Sequence, residues 1–384
     1  MIPLSNTAIV GIGQTEFSKR SGRSELQLAA EASIAAIRDA GLKPSDIDGL
    51  VTFTQDTNDE LELISSLGIE QVRWTARTPY GGAGSCATIQ VAAAAVASGA
   101  AKAVLIYRAF NERSGFRFGQ PGSANAYAGG VDTPRSMHFS YGLDTPAKIF
   151  SLWYQPYMHH FGVTNEDLGR YVVVARQHAA TNPAAWFFNR PITLNDHQQS
   201  RWVVEPMLRL LDCCQESDGG VAIIVTTLDR ARDLPQRPAR IAAASQANLG
   251  NSSNLFNYYR PHLEVFAEAR ASGDDLWRQS GLQPNDIDVA MIYENFSPVV
   301  FMSLEAHGFC KPGEAKDFIK SGAIGLAGQL PVNTNGGLLG EGYIHGMNNI
   351  TEAVRQIRGT AANQIADAEN VLVSVGRSGF ILQK

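Results

Sequence analysis

Apolar positions along this chain switch between a strand-like and a helix-like spacing. AIVGIG (8–13) is a short continuous apolar run, and SELQLAAEASIAAIRDAG (24–41) repeats its apolar residues at helical intervals before ending on Gly41, a natural C-cap. A strand, a polar turn and a helix are predicted. AKAVLIY (101–107) and GVAIIVTT (220–227) are again unbroken apolar runs, the pattern of strands covered on both faces. TPYGGAGSCATIQVAAAAVASG (78–99) predicts a Gly-rich turn that runs into an alanine-packed helix. Its stretch over 92–101 is small on every face, which suits close packing inside one chain or at a subunit interface. Residues 111–205 break the alternation with Gly, Pro, aromatic and polar residues, and predict a loop-rich excursion joined by a helix around 164–181. ENVLVSVGRSGFILQK (369–384) predicts two strands around a Gly-Arg-Ser-Gly turn.

One pattern occurs twice. GLKPSDID (41–48) returns as GLQPNDID (281–288), identical at six of eight positions, and an apolar strand follows each copy, GLVTFT in the first and VAMIYENF in the second. The chain reads as a duplication of two α/β halves, each with a Gly-rich turn and a helix after that strand (81–99 and 333–359). Facing halves would bring two helix N-termini to a shared centre. Gly11 and Gly13 invite a dinucleotide-binding reading, but GIGQTE lacks the third glycine of that fingerprint and no suitably placed acidic residue follows a second strand.

Composition narrows the function classes. The chain has 384 residues, 44% hydrophobic and 18% charged, enough for a large core, and it reads as a soluble α/β protein. A net charge of −5 with scattered Lys and Arg gives no basic face for nucleic acid. No apolar run reaches the roughly 20 residues of a membrane span, and MIPLSNTAIVGIG lacks the charged start and apolar stretch of a signal peptide, so a cytoplasmic protein is expected. Four cysteines without CxxC spacing and eight dispersed histidines favour a reduced compartment and no metal.

LRLLDCCQESDGGVAII (208–224), NTNGG (333–337) and the terminal strand-turn-strand together resemble the thiolase superfamily, in its sterol-carrier-protein-thiolase-like branch. The resemblance covers nearly the whole chain. It implies a five-layered α-β-α-β-α sandwich of two halves, residues 1–240 and 241–384, with a loop domain inserted at about 111–205, and it implies a dimer. In that superfamily a cysteine at a helix N-terminus attacks the acyl-CoA. Cys86-Ala87-Thr88 imitates the Cys-Ala-Thr string of some members, but counting back from Gly99 by the family's helix length lands on Gly82, four residues earlier. Where the family carries Asn-Glu-Ala-Phe or His-Asp-Cys-Phe, this chain has Tyr293-Glu294-Asn295-Phe296. Its Gly-His-Pro-Leu-Gly motif becomes Gly342-Tyr343-Ile344-His345-Gly346, and the second thiolase cysteine falls at Ser374. The thiols and imidazoles are gone while the turns that aimed them remain.

GRSELQL (22–28), DGLVTFTQDTN (48–58) and YRAFNERSGFRFG (107–119) are similar to the steroid side-chain aldolases of that superfamily. The resemblance implies retro-aldol cleavage of a β-hydroxyacyl-CoA of cholesterol or bile-acid type, releasing a ketone or aldehyde plus propionyl-CoA or acetyl-CoA. It also implies a homodimer bound to a DUF35-type protein, in some cases fused to a MaoC-like hydratase, as a heterotetramer. No separate cofactor is expected, since CoA is part of the substrate.

Such a cleavage needs a base and an acid at the β-oxygen and α-carbon, and donors facing the enolate oxygen. Tyr343 is assigned to the β-hydroxyl proton and Tyr293 to substrate orientation or the enolate proton, the two phenols converging on one buried spot from opposite repeats. A phenol of ordinary pKa about 10 serves as an acid without help and as a base only if its neighbours lower that value. Glu294 and His345 are expected to support the tyrosines and Asn335 to brace the turn. Backbone N–H groups at Gly81, Gly82 and Gly337 are candidate oxyanion donors, and Tyr258 and Tyr259 candidate walls of a steroid pocket. Arg108, Arg113 and Arg117 either meet CoA phosphates or a partner surface, or pair locally. Cys86, Cys213, Cys214 and Cys310 are read as packing residues. Two other readings stay open: a Claisen-type thiolase using Cys86, and a non-catalytic acyl-CoA-binding scaffold.

Overall fold

A computed structural model describes residues 3–79, 81–120, 140–250 and 260–384. The strands are β1 (Thr7–Gln14), β2 (Gly49–Phe53), β3 (Trp74–Thr78), β4 (Ala103–Asn111), β5 (Trp202–Val204), β6 (Leu208–Arg209), β7 (Asp218–Thr227), β8 (Ala239–Gln246), β9 (Val289–Ile292), β10 (Asn370–Ser374) and β11 (Ser378–Gln383). Nine of them form a mixed sheet in the order β3-β2-β4-β7-β1-β8-β11-β10-β9. Parallel pairing joins β2 to β3 and β4, and β9 to β10. Among the described residues the two sides of the sheet pair through β1 and β8, at Ala8↔Arg240 and Ile9↔Ala239.

This narrow junction lets the sheet wrap around two helices. Helix α1 is Glu25–Asp39, α2 is Glu60–Leu67 and α3 is Ser85–Ser98. Helix α3 packs on β2, β4 and β7 from one side and on β8 and β11 from the other. The helix Met347–Arg358 likewise touches β9, β10 and β11 as well as β1, β7 and β8. Both therefore lie between the two sides, and their buried Ile89, Val96, Ile350 and Val354 share one core with Ile223 and Val373. Helix α1 covers the outer face of β1, β4 and β7, and the helix Ala267–Ser280 that of β8 and β11. The layers run helix, sheet, helix, sheet, helix. The alanines of α3 serve this internal packing, with Ala92 and Ala93 fully buried between strands of one chain.

The repeated octapeptide has a physical job. Pro44–Asp46 and Pro284–Asp286 form single 3-10 turns closed by Lys43 N–H to Asp46 (2.8 Å) and Gln283 N–H to Asp286 (2.7 Å). The last Asp of each copy then accepts two backbone N–H groups at the start of a neighbouring strand. Asp48 takes Lys102 and Ala103 (2.7 and 3.0 Å), and Asp288 takes Glu369 and Asn370 (both 2.8 Å). Each copy pins one strand beside the next. Gly11 and Gly13 are explained by packing: a Cβ there would lie 2.3 and 2.2 Å from the Ala36 and Ala32 carbonyls of α1. They let the helix touch the sheet.

Residues 140–205 are more helical than the composition predicts. Besides Asn165–Ala180, which matches the expected helix, Pro146–Phe161 and Leu194–Gln199 are helical. Thr145 caps Pro146–Phe161, and Ile149, Trp153, Tyr154 and Tyr157 line its buried side. Pro156 inside it removes one backbone bond, which costs about 3 kcal/mol in an isolated helix. Burying several aromatic side chains, each worth roughly 1.5–3 kcal/mol, outweighs that loss. Among the described residues no helix is long and apolar enough to cross a membrane.

Candidate active site

Strand β9 ends at Ile292, where Asn333 exchanges two hydrogen bonds with it: Ile292 N–H to Asn333 Oδ1 and Asn333 Nδ2 to the Ile292 carbonyl, both 2.8 Å. The first residue of NTNGG thus fixes where the next side chain, Tyr293, points. Asn335 holds the following turn, accepting the Gly337 N–H (2.9 Å) and donating to Glu341 (2.5 Å). That turn leads into Tyr343. The hydroxyls of Tyr293 and Tyr343 meet at 2.8 Å on the wall of a cavity of about 490 Å³. Burial, aided by Cys214, Glu112 and Glu294, holds the Tyr293 hydroxyl well above the ordinary phenol range, against a lowering bond from Tyr343. It is a neutral acid at physiological pH. Both tyrosines belong to residues 241–384, so they do not come from opposite repeats; successive loops of one half deliver them.

The other half supplies the facing tip. A single turn Gly82–Gly84 precedes α3, and a Cβ on Gly82 would lie 2.2 Å from the Tyr293 hydroxyl oxygen. Only glycine allows the phenol so close to the helix tip. At Gly346, before the helix Met347–Arg358, a Cβ would lie 2.8 Å from the Tyr293 ring and 3.3 Å from Ser85 Oγ, so the two helix starts converge behind this phenol. Gly81, Gly82 and Ala83 line the cavity. The first N–H groups of a helix lack intrahelical partners, and this tip is the part of the segment that lines the cavity.

His345 also lines the cavity, in a left-handed backbone conformation with φ of 51°. Its Nδ1 accepts from Arg108 Nε at 3.1 Å, and Arg108 is in turn paired with buried Asp56 at 2.8 Å. The ring stacks against Phe110 (4.9 Å) and Phe118 (5.7 Å), which also touch each other at 6.3 Å. Burial and then the Arg108 charge push this imidazole well below the ordinary histidine range, so it is neutral.

One further expectation needs correction, that for Gly337; Glu294 stands behind the tyrosines, where a supporting residue would be, and Arg108 takes the local pairing left open for it. Glu294 does not reach the cavity: its Oε1 accepts the Leu338 N–H at 2.8 Å beneath the NTNGG turn, and burial pushes it up to about 8. Gly337 is not an oxyanion donor, because Asn335 takes its N–H and it lies off the cavity wall. Tyr293 and Glu294 are neighbours on extended backbone, which aims them to opposite sides. Arg108 meets neither CoA nor a partner surface, since it is 2% exposed and bound to Asp56 and His345. Arg117 stands at the cavity paired with Glu216 at 2.6 Å, and Arg113 lines the same wall. Tyr258 and Tyr259 lie outside the described residues.

Cys86 is fully buried, with Sγ 3.8 Å from the Val373 carbonyl and no share in the cavity wall. Burial raises its thiol far above the ordinary value, which removes the thiolate a Claisen-type thiolase requires. Cys213 and Cys214, read as packing residues, do line the cavity, but burial raises both thiols as well. Reading the sequence missed Glu112, which is 2% exposed on the cavity wall with Oε2 lacking a hydrogen-bond partner among the described residues. Burial, reinforced by Glu216, keeps its carboxyl well above the usual range. The available signal was its place just past the C-terminal end of a buried strand, where α/β proteins collect ligand contacts. Phe118, Phe150, Trp153, Phe266 and Phe296 make much of the remaining wall apolar.

Residues 252–383 match the family described as Thiolase C-terminal domain-like. A steroid side-chain-cleaving aldolase of Thermomonospora curvata is 53% identical over 380 residues, 98% of this chain and 97% of its own. A 17-hydroxy-3-oxo-4-pregnene-20-carboxyl-CoA lyase of Mycobacterium tuberculosis is also 53% identical, with 98% of each chain covered. Among solved structures, the Ltp2-ChsH2(DUF35) aldolase superposes with a TM-score of 0.92 at 53% identity, covering 99% of this chain and 98% of that one. On these similarities, and on a thiolase fold whose two phenols face the central helix tip, the chain belongs to the steroid side-chain-cleaving aldolase family.

Proposed function

We propose that this chain cleaves a steroid β-hydroxyacyl-CoA by a retro-aldol reaction, and that the Tyr293–Tyr343 pair carries the proton the reaction must move. The supporting observation is the 2.8 Å bond between the two hydroxyls at the cavity. In the substrate that the Mycobacterium relative's name describes, the 17-hydroxyl lies β to the thioester. Breaking the intervening bond in a similar substrate gives a ring ketone and propionyl-CoA. The aromatic wall from Phe118 to Phe296 supplies apolar surface for fused rings.

The reaction is balanced by one proton, which leaves the β-oxygen and arrives at the α-carbon. Tyr343 Oη takes the β-hydroxyl proton as its own proton passes to Tyr293 Oη, and Tyr293 gives up its proton to the α-carbon. The electron pair of the broken carbon-carbon bond passes through the thioester enolate into the new carbon-hydrogen bond. No acyl-enzyme forms and no net charge builds up on the phenols. A hydrogen-bonded pair with one strongly neutral member suits this relay. Backbone N–H groups at Gly81 and Gly82 stabilise the enolate oxygen. No cofactor enters this reading, and CoA belongs to the substrate.

The same reading gives the chain a DUF35-type partner, as in the solved aldolase complex, with a homodimer at the centre of a heterotetramer and a hydratase-bearing partner supplying the hydroxyacyl-CoA. It places the chain in the cytoplasm, where its four unpaired thiols stay reduced. The test is cleavage of β-hydroxyacyl-CoA by the chain with its DUF35-type partner. Tyr343→Phe and Tyr293→Phe are each expected to lower kcat by about 10²–10⁴ in a folded protein. Unchanged turnover in Tyr343→Phe overturns the relay, and turnover by the partner alone restores the scaffold reading.

A further inference from the structure

We infer that His345 is a catalytic group, donating a hydrogen bond from Nε2 to the thioester oxygen, and that the buried Arg108–Asp56 pair is the device that fixes which of its nitrogens donates. The inference rests on the acyl-CoA reading above.

The assignment of donor and acceptor follows from the contacts. A guanidinium has only N–H groups to offer, so Arg108 Nε can bond His345 Nδ1 at 3.1 Å only if Nδ1 presents its lone pair. In a neutral imidazole the proton is then on Nε2. Asp56 holds Arg108 aimed, through a 2.8 Å ion pair in which both side chains are almost wholly buried. Turning the ring over would put Cδ2 in the place of Nδ1 and forfeit the Arg108 bond, and the contacts with Phe110 and Phe118 oppose that turn. The ring thus cannot act as a base through Nε2. It can only donate there.

The direction of that donor follows from Gly81. A Cβ at this glycine would lie 3.0 and 3.1 Å from His345 Cε1 and Nε2 and 2.2 Å from Gln55 Oε1, so the nitrogen reaches the helix tip where Gly81, Gly82 and Ala83 line the cavity, beside an amide that substrate must share it with. An oxygen lodged at the tip receives both the backbone N–H groups and Nε2–H. The β-oxygen is engaged by Tyr343, whose ring stands perpendicular to that of His345 at 5.4 Å, which leaves the thioester oxygen for the histidine. A neutral imidazole gains from such a role, because it polarises a carbonyl without a charge that the apolar wall would penalise. The left-handed backbone at His345 is a strained conformation for a side chain other than glycine. Arg108, Phe110 and Phe118 hold the ring against that strain.

Three readouts test the inference on the complex of this chain with its DUF35-type partner. In ¹⁵N-labelled wild-type protein, His345 should show an unprotonated Nδ1 and a protonated Nε2; the opposite tautomer, or an imidazolium, overturns it. His345→Ala should lose about 10²–10³ in kcat with little change in KM, and His345→Gln, whose amide N–H occupies a place near Nε2, should recover about tenfold of that loss. A β-deoxy acyl-CoA with a ¹³C-labelled thioester carbonyl probes the contact directly. Its carbonyl stretch should shift to lower frequency on binding to wild type and to Tyr343→Phe, and the shift should vanish in His345→Ala. Binding to wild type without any shift overturns the histidine assignment alone. A wild-type complex that binds no acyl-CoA overturns the functional reading and this inference with it.

Discussion

Replacing Gly82 by alanine isolates the contact on which the proposed relay depends. The added methyl would start 2.2 Å from the Tyr293 hydroxyl oxygen and 2.4 Å from ring carbons Cε2 and Cζ, where ordinary contact begins at 3.4 Å. Gly82 is on the backbone of the helix tip and cannot retreat, so the tyrosine must move by about 1 Å or adopt another rotamer. Either response stretches the 2.8 Å Tyr293–Tyr343 bond beyond hydrogen-bond range. Overpacking of this kind costs about 1–3 kcal/mol of stability, while misplacing a reacting group by 1 Å costs about 10²-fold in rate. Gly82→Ala is thus expected to fold, with a thermal midpoint lowered by several degrees, and to lose about 10²-fold in kcat. The assay is cleavage of β-hydroxyacyl-CoA beside a thermal melt, repeated in a Tyr293→Phe background. There the second substitution should cost little further activity, because the relay is already cut. Full activity in Gly82→Ala, or losses that simply add in the double variant, refutes the reasoning.

Cys86→Ala should keep kcat within about threefold, since Sγ touches the Val373 carbonyl and not the cavity; native protein treated with a thiol alkylator should show Cys86 unlabelled by mass spectrometry. Asp56→Asn leaves the Arg108 charge buried with its partner neutralised and should cost about 3–5 kcal/mol, read as a fall in the denaturant midpoint. The unfolded chain sheds the Glu294 proton near 4.5 and the folded chain near 8, so ionisation of this carboxyl favours the unfolded state as pH rises through that interval. Glu294→Gln keeps an acceptor for the Leu338 N–H but cannot ionise, so its thermal midpoint should overtake that of wild type between pH 5 and 8. Parallel melting curves across that range would count against the buried carboxyl.

Features set by local patterning were legible in the sequence. The period of SELQLAAEASIAAIRDAG and Gly41 at its end marked the helix that spans Glu25–Asp39, and the repeated octapeptide marked two equivalent turns. The tyrosines were legible because Gly342 and Gly346 frame one and Glu294 and Phe296 keep the motif around the other, so the register survived the change of side chains. Contacts between distant segments were not legible. Arg108 reaches His345 across 237 positions, and nothing in YRAFNERSGFRFG states that its arginine turns inward to an aspartate of another loop. Glu112 was hidden for the same reason. The helix Pro146–Phe161 escaped because Pro156 and a mixed composition argued against it, while the burial that stabilises it is tertiary. Glu294 was legible as a support beside Tyr293, but not that its carboxyl turns to the Leu338 N–H beneath the NTNGG turn.

The exchange of thiol and imidazole for phenols follows from the charge that each reaction moves. A thiolase must create a thiolate, and it needs a polar, partly wet helix tip to stabilise that charge. A retro-aldol step begins and ends neutral, and its proton only changes places, from an oxygen to a carbon of the same substrate. An apolar cavity is no obstacle to such a transfer if the relay stays neutral as well. Burial raises Tyr293, Glu112 and the cavity-lining Cys214 above their ordinary ranges and lowers His345, so it shifts each of these groups toward its uncharged form. Those shifts would disable a thiolase. For the proposed relay through two phenols bonded at 2.8 Å they are no handicap, because that relay needs neutral groups. Phe118, Phe150, Trp153, Phe266 and Phe296 form one part of the wall and Lys19, Arg113, Arg117 and Glu216 another, so the proposal requires the scissile bond to sit beside the phenols and away from those charges.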